Sequence, residues 1–275
     1  MEMDIKALER AYFYFDDPVP YHLKQGEIKI RPVSLKKSEI FTASIGIFSI
    51  DKNALPDVKI ISMSYLEFMI KVVLINEVNV AKFLNILNLC LDIHAPTFKF
   101  NDRGKPILCD TERDIQITAK EFDDIRRIIL YQNISHYDDS YISPDLKEAM
   151  DAEDKLRNKN RKIPNLERRM AIITAHCGLP KKEQQEMTFR AHNQLFNEVC
   201  GEVDFLTVRP VAIYGGKGDK MEHWIFASDK DKLDGYITDE STLRQHLGGS
   251  DKYAGDAAST SRGDNLDALY KNFGN

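Results

Sequence analysis

At 275 residues the chain has enough apolar material for one large core or two smaller ones. Hydrophobic residues make up 43% and charged residues 29%, the balance of an ordinary soluble globular protein. The formal net charge of -5 supplies no concentrated positive field, which argues against an electrostatic nucleic-acid binder.

Four cysteines, Cys90, Cys109, Cys177 and Cys200, lie far apart with no CxxC pair. They read as small buried hydrophobes in a reducing compartment, not as a disulfide framework or a zinc knuckle. The opening MEMDIKALERAYFYFDD lacks the basic start and apolar centre of a signal peptide. The longest greasy stretch, 68–75, is interrupted by Lys71 and too short to span a bilayer. A cytosolic protein is expected.

Periodicity predicts a first helix over 3–13, with Pro18 and Pro20 ending any continuation. Residues 27–33, EIKIRPV, alternate polar and apolar and read as a half-buried edge strand. Phe41, Ile45 and Phe48 then share a helical face, and 51–57 is a turn-rich connection. With Ser62 as N-cap, Leu66, Met69, Ile70, Val73 and Leu74 repeat at helical spacing, as do Val80, Phe83, Leu84, Leu87 and Leu91. Together they predict an αα-hairpin with a broad apolar face.

The period then changes. Residues 97–100, 107–109 and 115–117 are short strand candidates, with Asn101 to Gly104 as a turn. Thr118 and Glu121 have the spacing of a capping box ahead of Phe122, Ile125 and Ile129. Ser143-Pro144 opens a densely charged helix with a thin stripe of Leu146, Met150 and Leu156. Past Pro164 a helix carries Leu166, Met170 and Ile173 and ends at Gly178. Thr188 can cap the next helix, whose stripe is Phe189, His192, Phe196, Val199 and Val203. Residues 208–214 and 223–227 read as two strands joined by a Gly215-Gly216-Lys217-Gly218-Asp219 hairpin loop.

The expected fold is therefore α+β, mostly helical with small antiparallel elements and an extended or disordered C-terminal tail. Its expected parts are an α+β lobe over 1–142, a charged linker helix over 143–163, a second α+β lobe over 164–247, and a tether with a terminal hook over 248–275.

Chemical motifs are weak. The string YGGKGDK lacks the Lys-Ser/Thr pair and the following helix of a phosphate-binding loop. His176, Cys177, His192 and Cys200 gather imidazoles and thiols in one region, but at spacings that match no zinc template. The pairs Asp123-Asp124 and Asp138-Asp139 fall where solvated charge is expected. No catalytic residue, metal or cofactor is assigned.

The tail carries the sharpest pattern. Residues 248–265, GGSDKYAGDAASTSRGDN, have almost nothing to bury and read as a flexible tether. Leu266, Leu269, Tyr270 and Phe273 then follow at i, i+3, i+4 and i+7, the spacing of an anchor helix in a partner's groove. The same segment can instead fold back on its own domain.

Two stretches, IKIRPVSLKKSEIF over 28–41 and GLPKKEQQEMTFRAHNQLF over 178–196, resemble pieces of tailed-bacteriophage tail and baseplate assembly proteins, the second being similar to tail assembly chaperones. The resemblance implies a non-catalytic protein that binds the tape measure or another tail component, in the host cytoplasm or in the virion. The residues by themselves leave two other readings open, a generic cytosolic adaptor and an enzyme with a site assembled from distant positions.

Overall fold

The carboxylate of Asp4 accepts from the Ala7 amide at 3.0 Å and so starts α1 (Ile5–Ala11). The computed structural model describes residues 3–55, 57–135, 137–139, 144–159, 164–216 and 223–226. The described chain is α+β: helices dominate, with one two-stranded and one three-stranded antiparallel sheet. The helix expected over 3–13 is shorter, because Phe13–Phe15 tightens into a 3₁₀ turn that ends on Asp16 at φ 58.

Strand β1 (Val19–Leu23) pairs with β2 (Gly26–Ile30), Val19 opposite Ile30 and Leu23 opposite Gly26. The alternation of 27–33 marks β2, whereas Pro20 hides β1 from a sequence reading. A two-stranded sheet leaves each strand an edge, where a proline without an amide proton is tolerated.

The core gathers around α2 (Ser38–Ile45), α4 (Tyr65–Phe68) and α5 (Glu77–Ile86), the last two widening into π turns over Met69–Val73 and Leu87–Leu91. A short α3 (Val58–Ser62) precedes them. Ser64, not Ser62, caps α4 by accepting from the Glu67 amide at 3.2 Å. Ser62 closes α3 instead, its hydroxyl donating to the Lys59 carbonyl at 2.9 Å. Leu66, Met69, Phe83, Ile86 and Leu87 are fully buried beside Phe41, Phe48 and Phe122, and the Phe48 and Phe83 rings stack at 5.8 Å. The predicted stripe departs from the core at Val80 and Leu84, which are exposed. The inward arc of α5 follows Phe83, Ile86 and Leu87, and those two residues fall at its rim.

Strands β3 (Pro96–Phe100), β4 (Pro106–Asp110) and β5 (Ile115–Thr118) form the second sheet in chain order. Asn101 shapes the β3–β4 turn by accepting from the amides of Arg103 and Lys105 at 3.0 and 2.8 Å, with Gly104 at φ 70. Thr118 and Glu121 make the predicted capping box at the start of α6 (Ala119–Asn133), whose Phe122, Ile125 and Ile129 are buried.

The remaining helices are α7 (Pro144–Asn158), α8 (Leu166–Cys177), α9 (Lys181–Glu186) and α10 (Phe189–Tyr214). Gly178 ends α8 at φ 72, as its position predicts. Residues 208–214, expected as a strand, are the last turns of α10. Their β-branched run favours strand only weakly, and a helix already started gains a hydrogen bond with each added residue. Pro210 is accommodated inside the helix, leaving the Leu206 carbonyl without its usual donor. The second half of the expected hairpin is also corrected, since Trp224–Phe226 forms a 3₁₀ turn. Its loop residues 217–222 lie outside the described residues, as do the tether and Leu266, Leu269, Tyr270 and Phe273.

Contacts divide the chain into two units, Met1–Ala212 and Ile213–Asn275. The first unit holds the expected first lobe together with residues 164–212 of the expected second one. Residues near the start of α10 are bonded directly to residues near the N-terminus, so α7 does not mark a division between independent bodies.

Candidate interaction surface

Thr188 caps α10, its hydroxyl accepting from the Ala191 amide at 3.1 Å and donating to the Asp16 carboxylate at 2.5 Å. An antiparallel bridge joins Ser34 to Thr188, flanked by hydrogen bonds from the Leu35 amide to Met187 and from the Phe189 amide to Val33, each 2.7 Å. The Phe189 ring meets Phe41 edge-on at 6.2 Å. Arg190 is 8% exposed, donating to the Tyr131 carbonyl at 2.9 Å and to Glu9 at 2.5 Å while its guanidinium lies over Phe13. The first turns of α10 are thus pinned to α1, α2 and α6.

Helix α8 lies alongside α10 in the same direction. Arg169, early in α8, donates to Asn193 at 3.2 Å and stacks over Phe196, while His176, near its end, sits 2.9 Å from Glu202. Along α10 the residues Phe189, His192, Phe196, Val199, Val203, Leu206 and Pro210 recur at alternating steps of three and four, forming one seam. Its first four members are buried or partly buried. The seam outlasts its cover: α8 stops at Cys177, level with Glu202, and from there Val203 and Leu206 are 42% and 58% exposed. Pro210 is exposed as well, so an apolar line of about 10 Å, at 1.5 Å per residue over seven steps, lies open between Val203 and Pro210. The sequence pattern carries this seam in its first half and loses it where the Val-rich run mimics a strand.

The groups considered for chemistry are engaged as structural ties. Asp123 pairs with Arg126 at 3.2 Å, and Asp124 accepts from the Tyr21 hydroxyl at 2.9 Å. Burial, reinforced by Asp124, raises the Tyr21 pKa well above the ordinary phenol value. Asp139 accepts from Arg127 and from the Tyr131 hydroxyl, 2.5 and 2.6 Å away. The Tyr65 hydroxyl lies 2.9 to 3.2 Å from the carbonyls of Ile47, Phe48 and Ile50, and burial pushes its pKa up to about 12 against the lowering influence of the Arg126 guanidinium over its ring.

Of the four residues weighed for zinc, His192 is fully buried, Cys177 is exposed, Cys200 is half-buried and His176 faces Glu202. Among the described residues no group of three or more His, Cys, Asp or Glu gathers as metal ligands do. Burial, expected of all four cysteines, holds for Cys90 and Cys109 but not for Cys177 or Cys200; it lifts the Cys90 thiol to about 12.

A cavity of about 290 Å³ lies beside the β1–β2 turn, lined by Leu23, Gln25, Gly26, Glu27, Arg113 and Ile115. Arg113 is committed there to Asp110 at 2.7 Å and to the carbonyls of Leu91 and Asp92. No helix among the described residues is long and apolar enough to cross a membrane. Comparison of the chain with family models, with curated proteins and with solved structures returned no match.

Proposed function

We propose that this chain is a non-catalytic assembly or structural protein that works by binding other proteins, of the kind that builds the tails and baseplates of tailed phages. The observation that carries the reading is the seam of α10, which continues past the end of α8 as an exposed line of Val203, Leu206 and Pro210. An uncovered apolar line of this kind suits an amphipathic helix from a partner, which would complete the packing that α8 begins. The two stretches that resemble tail proteins are paired backbone to backbone through Ser34 and Thr188, which supports reading them as one element. Of the residues considered for acid-base work, Asp124 ties α6 to β1, Asp123 pairs within α6 and Asp139 holds the following segment to it, which favours binding over catalysis. On this reading the protein works in the host cytoplasm, or in the virion if it stays with the tail.

Co-expression with the tail components of its source, the tape measure included, tests the proposal. The full-length chain should co-purify with one of them, and Leu206→Asp should remove that partner while leaving the fold intact. Co-purification that survives Leu206→Asp would move the binding face elsewhere. No association with any tail component would contradict the reading.

A further inference from the structure

His192 is completely buried in α10, and neither ring nitrogen has a hydrogen-bond partner among the described residues. A neutral imidazole in that position leaves a donor and an acceptor unmet, and a protonated one leaves two donors and a charge unmet. The ring sits on the seam, one turn past the bridge that fastens α10 to residues 33–35. The charges around it do not rescue the protonated form. From α8, Arg169 presents a second positive charge, engaged with Pro164, Asn193 and the Phe196 ring. Arg190, on the same helix, is paired with Glu9 of α1, and Asp16 is held by Thr188. The other imidazole between α8 and α10, His176, lies 2.9 Å from the Glu202 carboxylate.

We propose that His192 is an acid-sensitive latch: protonation of its buried ring releases α8, α9 and α10 from the body, and deprotonation lets them dock. A well-packed apolar side chain would hold the same seam without the unmet polar groups, which identifies the imidazole as the part of the seam that responds to pH. The latch does not depend on the assembly reading. Burial first, and then the charge of Arg169, lower the His192 pKa from its ordinary value of 6.5. The docked state therefore binds fewer protons than the released state, and docking is lost as pH falls below the ordinary imidazole value.

Hydrogen exchange of the full-length protein at about pH 7.5 and pH 5.5, corrected for intrinsic rates, tests the latch. Amides of α8 to α10 should open about tenfold more often per pH unit below 6.5 until the docked ring itself titrates, while those of α6 stay protected. His192→Leu should abolish this acid response. Persistence of the response in that variant, or opening independent of pH in the wild type, overturns the proposal. A titration of the His192 ring followed by NMR in the wild-type protein provides the check if the variant does not fold. A midpoint below that of an unfolded imidazole is expected, and an unshifted midpoint refutes the latch.

Discussion

The backbone of Val33 is held from both sides: its carbonyl accepts from the Phe189 amide and its amide donates to Asn133 Oδ1, both at 2.7 Å. One residue thus links β2, through the short segment that follows it, to α6 and to α10. Asn133 is 1% exposed and its amide group also donates to the Ile129 carbonyl at 2.9 Å. Asn133→Ala strands the buried Val33 amide, so urea unfolding should register a loss of about 1 to 3 kcal/mol. A neutral result would mean that water satisfies this amide.

Leu66 lies at the centre of the aromatic and aliphatic core, fully buried against α6 and β4. Leu66→Ala should cost about 2 to 5 kcal/mol with an unchanged denaturant slope. A variant of parental stability that fails to bind a partner would make this a recognition face instead.

Asp139 ties the segment after α6 to Arg127 and Tyr131. Burial alone would raise its pKa, but the hydrogen bonds from Arg127 and Tyr131 outweigh that and hold the carboxyl below its ordinary 3.8. The native state therefore binds fewer protons than the unfolded one near that value. The stabilisation is present above about pH 3.8 and is lost as pH falls through the depressed folded value. Asp139→Asn should be less stable than the wild type near pH 6, and the two should converge in acid. A gap that persists undiminished below about pH 2 would assign the effect to packing.

Local signals carried much of the fold. Thr118 with Glu121, Thr188, Gly178 and the Asn101 turn each act through a bond within a few residues, so the sequence displays both partners. Where the deciding interaction is distant, the reading failed. Strand β1 exists because its partner β2 holds Pro20 at an edge, and 208–214 are helical because α10 is anchored far upstream at Thr188. The open part of the seam was hidden for the same reason, since its exposure depends on where α8 ends.

The C-terminal segment with Leu266, Leu269, Tyr270 and Phe273 gives a separate prediction from its spacing alone. Deleting residues 262–275 should leave the melting temperature of the body unchanged and weaken partner association at least about tenfold, equivalent to 1.4 kcal/mol. A truncation that destabilises the isolated protein would mean that the segment packs on its own chain.

Hydrogen exchange across α10, with and without an assembled tail partner, examines the face beyond Glu202 most directly. In the free protein the amides of 203–211 should exchange faster than those of 192–199, and assembly should protect them. Protection that arises elsewhere on the chain while 203–211 stay unchanged would contradict the proposed surface.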